Sequence, residues 1–299
     1  MKKFKIFLIG SSGQVGKSIL SEIPDENIEF FACTRTDWDM GKNPSHGLKL
    51  LLDYQPNLVI NASAYTQVDD AEDNFDLANN INNVSPKLIA EFCLREGIPF
   101  LHISTDYVFD GKKTGSYNEN DKTCPINSYG ITKARGDAAI VRSKCKYIIV
   151  RTSWVFSKYG KNFVKTILSA HKNKQKLRII DDQYGGPTSA RCIALALKTI
   201  IHKIIEKKIQ WGIYNFSGEP YTTWFEFASK IVEKYTNFKK IKNDFSNLET
   251  IKTQEANFYK AKRPLNSCLD NYKIFNQFKI TPCDWQTELD SLIKDEDFE

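Results

Sequence analysis

Phe4-Lys5-Ile6-Phe7-Leu8-Ile9-Gly10-Ser11-Ser12-Gly13-Gln14-Val15-Gly16-Lys17-Ser18-Ile19-Leu20 decides the fold. Its first six residues form an apolar run rich in β-formers, and the run stops at Gly10. Glycines recur at Gly10, Gly13 and Gly16, and the chain from Lys17 onward can continue as a helix. Strand, glycine turn and helix together are the context of a dinucleotide site. The glycines allow a tight turn and a close approach to a pyrophosphate, while the helix N-terminus offers free N–H groups and a partial positive charge. The plainer alternative is an ordinary glycine-rich β-to-α turn.

Outward from this stretch, strand and helix patterns alternate. Ile28–Cys33 reads as a second strand and ends in Thr34-Arg35, without the acid that holds an adenosine ribose in NAD-specific sites. Arg35 either meets a 2′-phosphate, which points to NADPH, or is a solvent-facing loop arginine. Asp39 and Met40, just beyond, border the adenine in the first reading. Residues 57–64 read as a buried strand running into small residues, where Ala62 and Ala64 let a cofactor come close. Tyr65, Thr66 and Val68 continue that rim. Residues 77–95 read as a helical stretch with a packed face, and 99–103 as the next strand. Ser104-Thr105-Asp106 stands at that strand's carboxyl end, the edge where parallel α/β sheets bind ligands. His102, inside the strand, reads as a core histidine. A strand at 147–150 follows. The alternation predicts an α/β fold with a Rossmann-like, doubly wound parallel sheet. Residues 1–150 form its nucleotide-binding domain, completed by part of 190–220. Residues 151–299 form mainly a smaller mixed substrate-binding lobe. Helices are expected at 163–171 and 191–205, a short strand at 212–216, and a helix capped by threonine at 222–226.

Tyr129-Gly130-Ile131-Thr132-Lys133 carries chemistry. On a helix, positions four apart share a face, so Tyr129 and Lys133 enter one cleft. A phenol with an ammonium beside it is a proton donor whose pKa falls below its usual value of about 10. Alone, the spacing is common on surface helices. Composition narrows the field further. A chain of 299 residues with 41% hydrophobic residues supports a large core. The net charge of +6 comes from interspersed lysines and acids, so a nucleic-acid groove is not indicated. Seven cysteines stand singly with no C-x-x-C pair, which argues against a metal cluster and for a reducing compartment. The N-terminal apolar run is too short for a signal peptide, and no segment offers the roughly 18 apolar residues of a membrane span. The expectation is a cytoplasmic, soluble protein.

Taken together these motifs resemble the extended short-chain dehydrogenase/reductase family, nearly end to end. The general motifs are the glycine turn and Tyr129-x-x-x-Lys133. More specific are Ser104-Thr105-Asp106-Tyr107-Val108-Phe109, Arg151-Thr152-Ser153-Trp154 and Asp182-Gln183-Tyr184-Gly185, with Arg263-Pro264-x-Asn266-Ser267 further on. These resemble the branch that reduces the C4 keto group of dTDP-4-dehydro-β-L-rhamnose with hydride from NADPH, NADH also serving. The resemblance implies that Tyr129 gives the proton and that Lys133 holds the nicotinamide ribose and lowers the Tyr129 pKa. It implies that Thr105 hydrogen-bonds the C4 oxygen, and that Val68, Asp106 and Trp154 line the sugar pocket. Gly10, Gly13, Gln14, Val15 and Gly16 would hold the cofactor. Some members form magnesium-linked dimers through a glutamate where this chain has Ser18. The implied state is therefore a monomer or a metal-independent homodimer. Two other readings stay open: a reductase for another nucleotide-linked 4-keto-6-deoxy sugar, and a non-catalytic NADP-binding regulatory subunit.

Overall fold

The computed structural model describes residues 3–295. Six strands form the central sheet: β1 (Phe4–Ile9), β2 (Ile28–Cys33), β3 (Leu58–Asn61), β4 (Phe100–Thr105), β5 (Tyr147–Thr152) and β6 (Gly212–Asn215). Their spatial order is β6-β5-β4-β3-β1-β2, and every neighbouring pair is parallel. Both faces are covered, which is why the strands read as unbroken apolar runs. The period-two alternation of strand side chains divides them. Ile6 and Leu8 face one layer with Leu58, Ile60, Leu101 and Ile148, packed on Ile19 of α1 (Gln14–Glu22). Phe7 and Ile9 face the other with Val59, Phe100 and Ile149, packed on Leu51 of α2 (Gly47–Tyr54) and on Ile89 and Phe92 of α3 (Ser85–Glu96). Ile140 of α4 (Ser128–Ser143) closes that layer.

The winding direction reverses between β1 and β3, so a crevice opens at their carboxyl ends. Gly10 sits there at φ +79, a conformation that side chains other than glycine's rarely adopt. A Cβ on Gly10 would also lie 2.6 Å from the Ser63 nitrogen. The turn and the end of β3 are thus in backbone contact.

Two expectations change. The third strand stops at Asn61 rather than running to residue 64, because Asn61 Oδ1 accepts from the Ser63 backbone N–H at 3.0 Å and from its hydroxyl at 2.6 Å. That local bonding replaces the sheet ladder and turns the chain into the crevice. The helical stretch at 77–95 is not one regular helix. Phe75–Asn79 passes through a widened turn, Asn80–Val84, before α3 begins. Pro86 has no N–H to give the Asn82 carbonyl, so the regular ladder cannot close there. The widened turn aims Asn82 inward, where it accepts from the Tyr65 N–H at 2.9 Å and donates to the Thr132 hydroxyl at 3.1 Å.

Beyond β5 lies a second core. It joins α5 (Phe163–Lys172), α7 (Trp224–Lys239) and α8 (Trp285–Lys294) through Val164, Ile167, Phe227, Ile231, Trp285 and Leu289. Thr223 caps α7 in a reciprocal box with Glu226, each backbone N–H donating to the other's side chain at 3.1 Å. The intervening helix α6 (Ala190–Ile205) returns to the central sheet and packs on α1, ahead of β6. No helix among the described residues is long and apolar enough to cross a membrane.

Candidate active site

Helix α4 is pinned at its start from three sides. Asn127 Oδ1 accepts from the Gly130 N–H at 2.8 Å, which satisfies one of the helix's unpaired donors. Glu72, from the rim loop, accepts from the Ser128 N–H at 2.8 Å and its hydroxyl at 2.9 Å. Asn127 Nδ2 donates to the Lys262 carbonyl at 2.7 Å. A Cβ on Gly130 would collide with the Tyr107 carbonyl oxygen, so only glycine allows α4 to press this closely on the turn after β4. The result is a fixed position for Tyr129, which is 8% exposed and meets the Tyr107 ring edge-on at 5.5 Å.

Tyr129 and Lys133 do share a face, and both are buried. Lys133 does not turn its ammonium to the phenol, however. Its Nζ donates to the Ile103 carbonyl at 2.7 Å and lies 3.1 Å from His102 Nε2. Burial pushes the Lys133 pKa down to about 8, while the charge of Asp137 one turn on pulls the other way. His102 is fully buried; desolvation, and then the charge of Lys133, hold its pKa well below the usual range. It is a neutral core histidine and the acceptor for Lys133. The expected lowering of the Tyr129 pKa is reversed. Burial raises it, against the pull of the nearby Thr105 side chain, and Asp106 and Asp137 add to the rise. The phenol therefore stays protonated throughout the neutral range, as a proton donor must.

Thr105 ends β4 opposite Thr152 of β5. Its hydroxyl accepts from the Tyr107 N–H at 3.2 Å and donates to Asp106 Oδ1 at 3.0 Å. Asp106 is 3% exposed, so it is held against Thr105 rather than displayed in an open pocket. Desolvation raises its pKa to about 6, partly offset by the Ser267 and Thr105 hydroxyls. Four buried polar atoms along this sheet edge make no hydrogen bond: Asn61 Nδ2, Ser104 Oγ, Asp106 Oδ2 and Thr152 Oγ1. Buried polar groups are rarely left so, and a row of them at the carboxyl ends of three strands suits a site that completes itself on a polar ligand.

On the cofactor side the fit is good. Gly13, at the N-cap of α1, is exposed and gives the first N–H groups no side-chain partner, and the first turn carries no carboxylate. An anion would meet free donors and no opposing charge. Val15 and Gly16 are buried beneath the turn, and Ser18 is buried in α1. Gln14 reaches across to the second lobe, where Ser157 Oγ donates to its Oε1 at 2.8 Å and Asn162 Nδ2 does so at 3.2 Å. Arg35 is 74% exposed on its side chain, 3.5 Å from Asp39. Asp37 was not singled out from the sequence. It folds back on the end of β2, accepting from the Thr34 N–H at 2.8 Å and its hydroxyl at 2.7 Å. The only signal was an acid within one turn of the strand's end. Met40 is buried, its sulfur 3.4 Å from the Ser63 hydroxyl; Ala62 and Ala64 are half-buried, and Thr66 is exposed.

On the substrate side, Val68 and Tyr65 pack with Tyr107 and Tyr129 in one small cluster. Trp154 sits at φ +47, strained for a bulky side chain, and stacks on Trp224 at 3.6 Å. A strap from the C-terminal half crosses the rim: Asp69 accepts from the Lys260 and Ala261 N–H groups at 2.9 Å and from Arg263 at 2.6 Å. Arg263 in turn lies 3.8 Å from the Tyr259 ring.

The model of the RmlD substrate binding domain family matches residues 4–298. The chain belongs to that family. It is 39% identical to the dTDP-4-dehydrorhamnose reductase of Aggregatibacter actinomycetemcomitans over 290 residues, 96% of this chain and 98% of that one. It is 33% identical to the Escherichia coli K12 protein of the same name, over 97% of both chains. Among solved structures, the Bacillus anthracis dTDP-4-dehydrorhamnose reductase in complex with NADP superposes with a TM-score of 0.85 at 32% identity, covering 97% of this chain and 98% of that one. The RmlD family match spans both the sheet and the second lobe, so the resemblance read from the motifs holds along the whole chain.

Proposed function

We propose that this chain reduces the C4 keto group of dTDP-4-dehydro-β-L-rhamnose to give dTDP-L-rhamnose, using NADPH. The carrying observation is the burial of Tyr129 and Lys133 on one face of α4, against the turn that Thr105 begins at the sheet's carboxyl edge, in a chain 39% identical along its length to a reductase of that name. When bound, the nicotinamide cofactor supplies the hydride. Negative charge then develops on the C4 oxygen, and donors already in place there stabilise the transition state. Tyr129 delivers its proton to that oxygen, and Thr105 hydrogen-bonds it. Lys133, anchored by Ile103 and His102, keeps a remaining N–H for the nicotinamide ribose. The α1 N-terminus and Gly10–Gly16 take the pyrophosphate; Asp39, Met40, Ala62, Ala64, Tyr65 and Thr66 border the nucleoside; Arg35 takes the 2′-phosphate. Val68 and Trp154 line the sugar pocket, and residues 151–299 supply most of the substrate lobe. Buried Ser18 in place of a carboxylate supports a monomer or a dimer that needs no magnesium, and seven free cysteines suit the cytoplasm.

The test is to incubate the pure protein with NADPH and a panel of nucleotide-linked 4-keto sugars and to identify products by NMR. Formation of dTDP-L-rhamnose is expected. Preference for another sugar would move the substrate and keep the reductase. Consumption of NADPH with no panel member would leave a cofactor-binding regulatory subunit.

A further inference from the structure

Lys133 is a buried ammonium to which no carboxylate among the described residues is bonded. Asp137, one turn on, gives its Oδ2 to Arg151 Nε at 3.1 Å instead. Besides the Ile103 carbonyl at 2.7 Å, the ammonium has one side-chain partner, His102 Nε2 at 3.1 Å. His102 is fully buried in β4, and its other ring nitrogen, Nδ1, makes no hydrogen bond. We propose that His102 is a positioning residue for the reduction, a neutral acceptor that aims the Lys133 ammonium and keeps it charged.

The proton count fixes the roles. An ammonium has three N–H groups and no lone pair, so His102 Nε2 accepts and the ring's own proton sits on Nδ1. Two of the three N–H groups go to Ile103 and His102, and the third is left for the nicotinamide ribose. The Nδ1–H is buried without a partner, which costs stability. A leucine in its place would avoid that cost. What the imidazole gives in return is an acceptor without charge. A carboxylate there would cancel the positive charge that draws in an anionic cofactor. A neutral nitrogen leaves the charge whole, and its hydrogen bond favours the charged form of the lysine. Burial works against that form and brings the Lys133 pKa down to about 8, so the loss of an acceptor would tell near neutral pH. The charged and titratable groups around the ammonium are Asp137 and Tyr129 on α4, Arg151 on β5 and His102 on β4. Asp137 also favours the charged lysine, but from within its pair with Arg151. His102 itself stays neutral, since desolvation and then the Lys133 charge hold its pKa low.

The inference rests on the reductase reading, so the first measurement needs neither cofactor nor sugar. In NMR of the free protein labelled at lysine Cε, one signal, missing from Lys133→Met, should titrate near pH 8. His102→Leu should bring that titration down by about one pH unit or more. His102→Gln, whose amide oxygen can accept in place of Nε2, should leave it near the wild-type value. NADPH affinity, read by fluorescence, should follow the same pattern. It should weaken above about pH 8 in wild type, be about fivefold weaker in His102→Leu at that pH, and stay close to wild type in His102→Gln. Should His102→Leu not fold, the wild-type imidazole decides: its nitrogen shifts should show a proton on Nδ1 and a bare Nε2 that responds as Lys133 titrates. The proposal is overturned if the lysine titration stays in place in His102→Leu, if His102→Gln shifts it as far as leucine does, or if Nε2 carries the proton. A loss of NADPH affinity equal at every pH would also overturn it and make His102 a packing residue only. Inactivity of the wild type on every sugar would instead sink the reductase reading and leave the lysine titration standing.

Discussion

Replacing Asp106 by asparagine should make the protein more stable at neutral pH. The carboxyl is fully buried and its pKa is raised from 3.8 to about 6. A raised folded-state pKa means that the native chain holds this proton more tightly than the unfolded chain does. The contribution is favourable below the unfolded value and is lost as pH climbs through the folded one. Two pKa units, at about 1.4 kcal/mol each, make the ionised group cost on the order of 3 kcal/mol above pH 7. Asparagine keeps the shape and has no charge to bury. The stability of Asp106→Asn relative to wild type should therefore rise by about 2–3 kcal/mol between pH 4 and pH 8, roughly half of it above pH 5. Urea unfolding at stepped pH values measures this directly, the midpoint moving while the slope stays constant. A difference that is flat with pH, or that grows toward acid, would refute the claim that desolvation dominates at this carboxyl.

Tyr129→Phe removes one hydroxyl and keeps the ring against Tyr107, so kcat should drop by about 10²–10⁴-fold with little change in KM, read by steady-state NADPH oxidation. Lys133→Met should weaken NADPH binding in a fluorescence titration. Because burial lowers the lysine pKa from 10.5 to about 8, wild type should also gain stability relative to Lys133→Met as pH rises through that interval. Arg35→Ala should cost NADPH about ten- to a hundredfold in affinity, the worth of a charge-assisted hydrogen bond, while leaving NADH nearly untouched; equal losses for both would remove Arg35 from phosphate recognition. Gly130→Ala must displace the Tyr107 backbone and should destabilise by roughly 1–3 kcal/mol in the same unfolding assay.

Local pattern settled much of this protein in advance. Apolar runs bounded by turn residues marked β1 and β2 with the ends the structure has, because a strand buried on both faces needs an unbroken apolar run and glycine or polar residues stop it. Tyr129 and Lys133 share a face because helical spacing dictates it. What the side chains do once inside was not legible. The Lys133 ammonium goes to His102 and Ile103, which come from a strand some thirty residues earlier, and no spacing rule announces that meeting. The sign of the Tyr129 shift depended on whether a cation or the loss of water prevailed at the phenol, and burial prevailed. Asp106 read as a pocket residue and proved to be a buried acid bonded to Thr105. The Glu72 cap on α4 and the Asp69–Arg263 strap join segments far apart in the chain. Backbone periodicity is a short-range property and shows in any window of sequence. Solvation, charge and hydrogen-bond partners at a site are set by which distant segments converge there, so only the tertiary structure decides them.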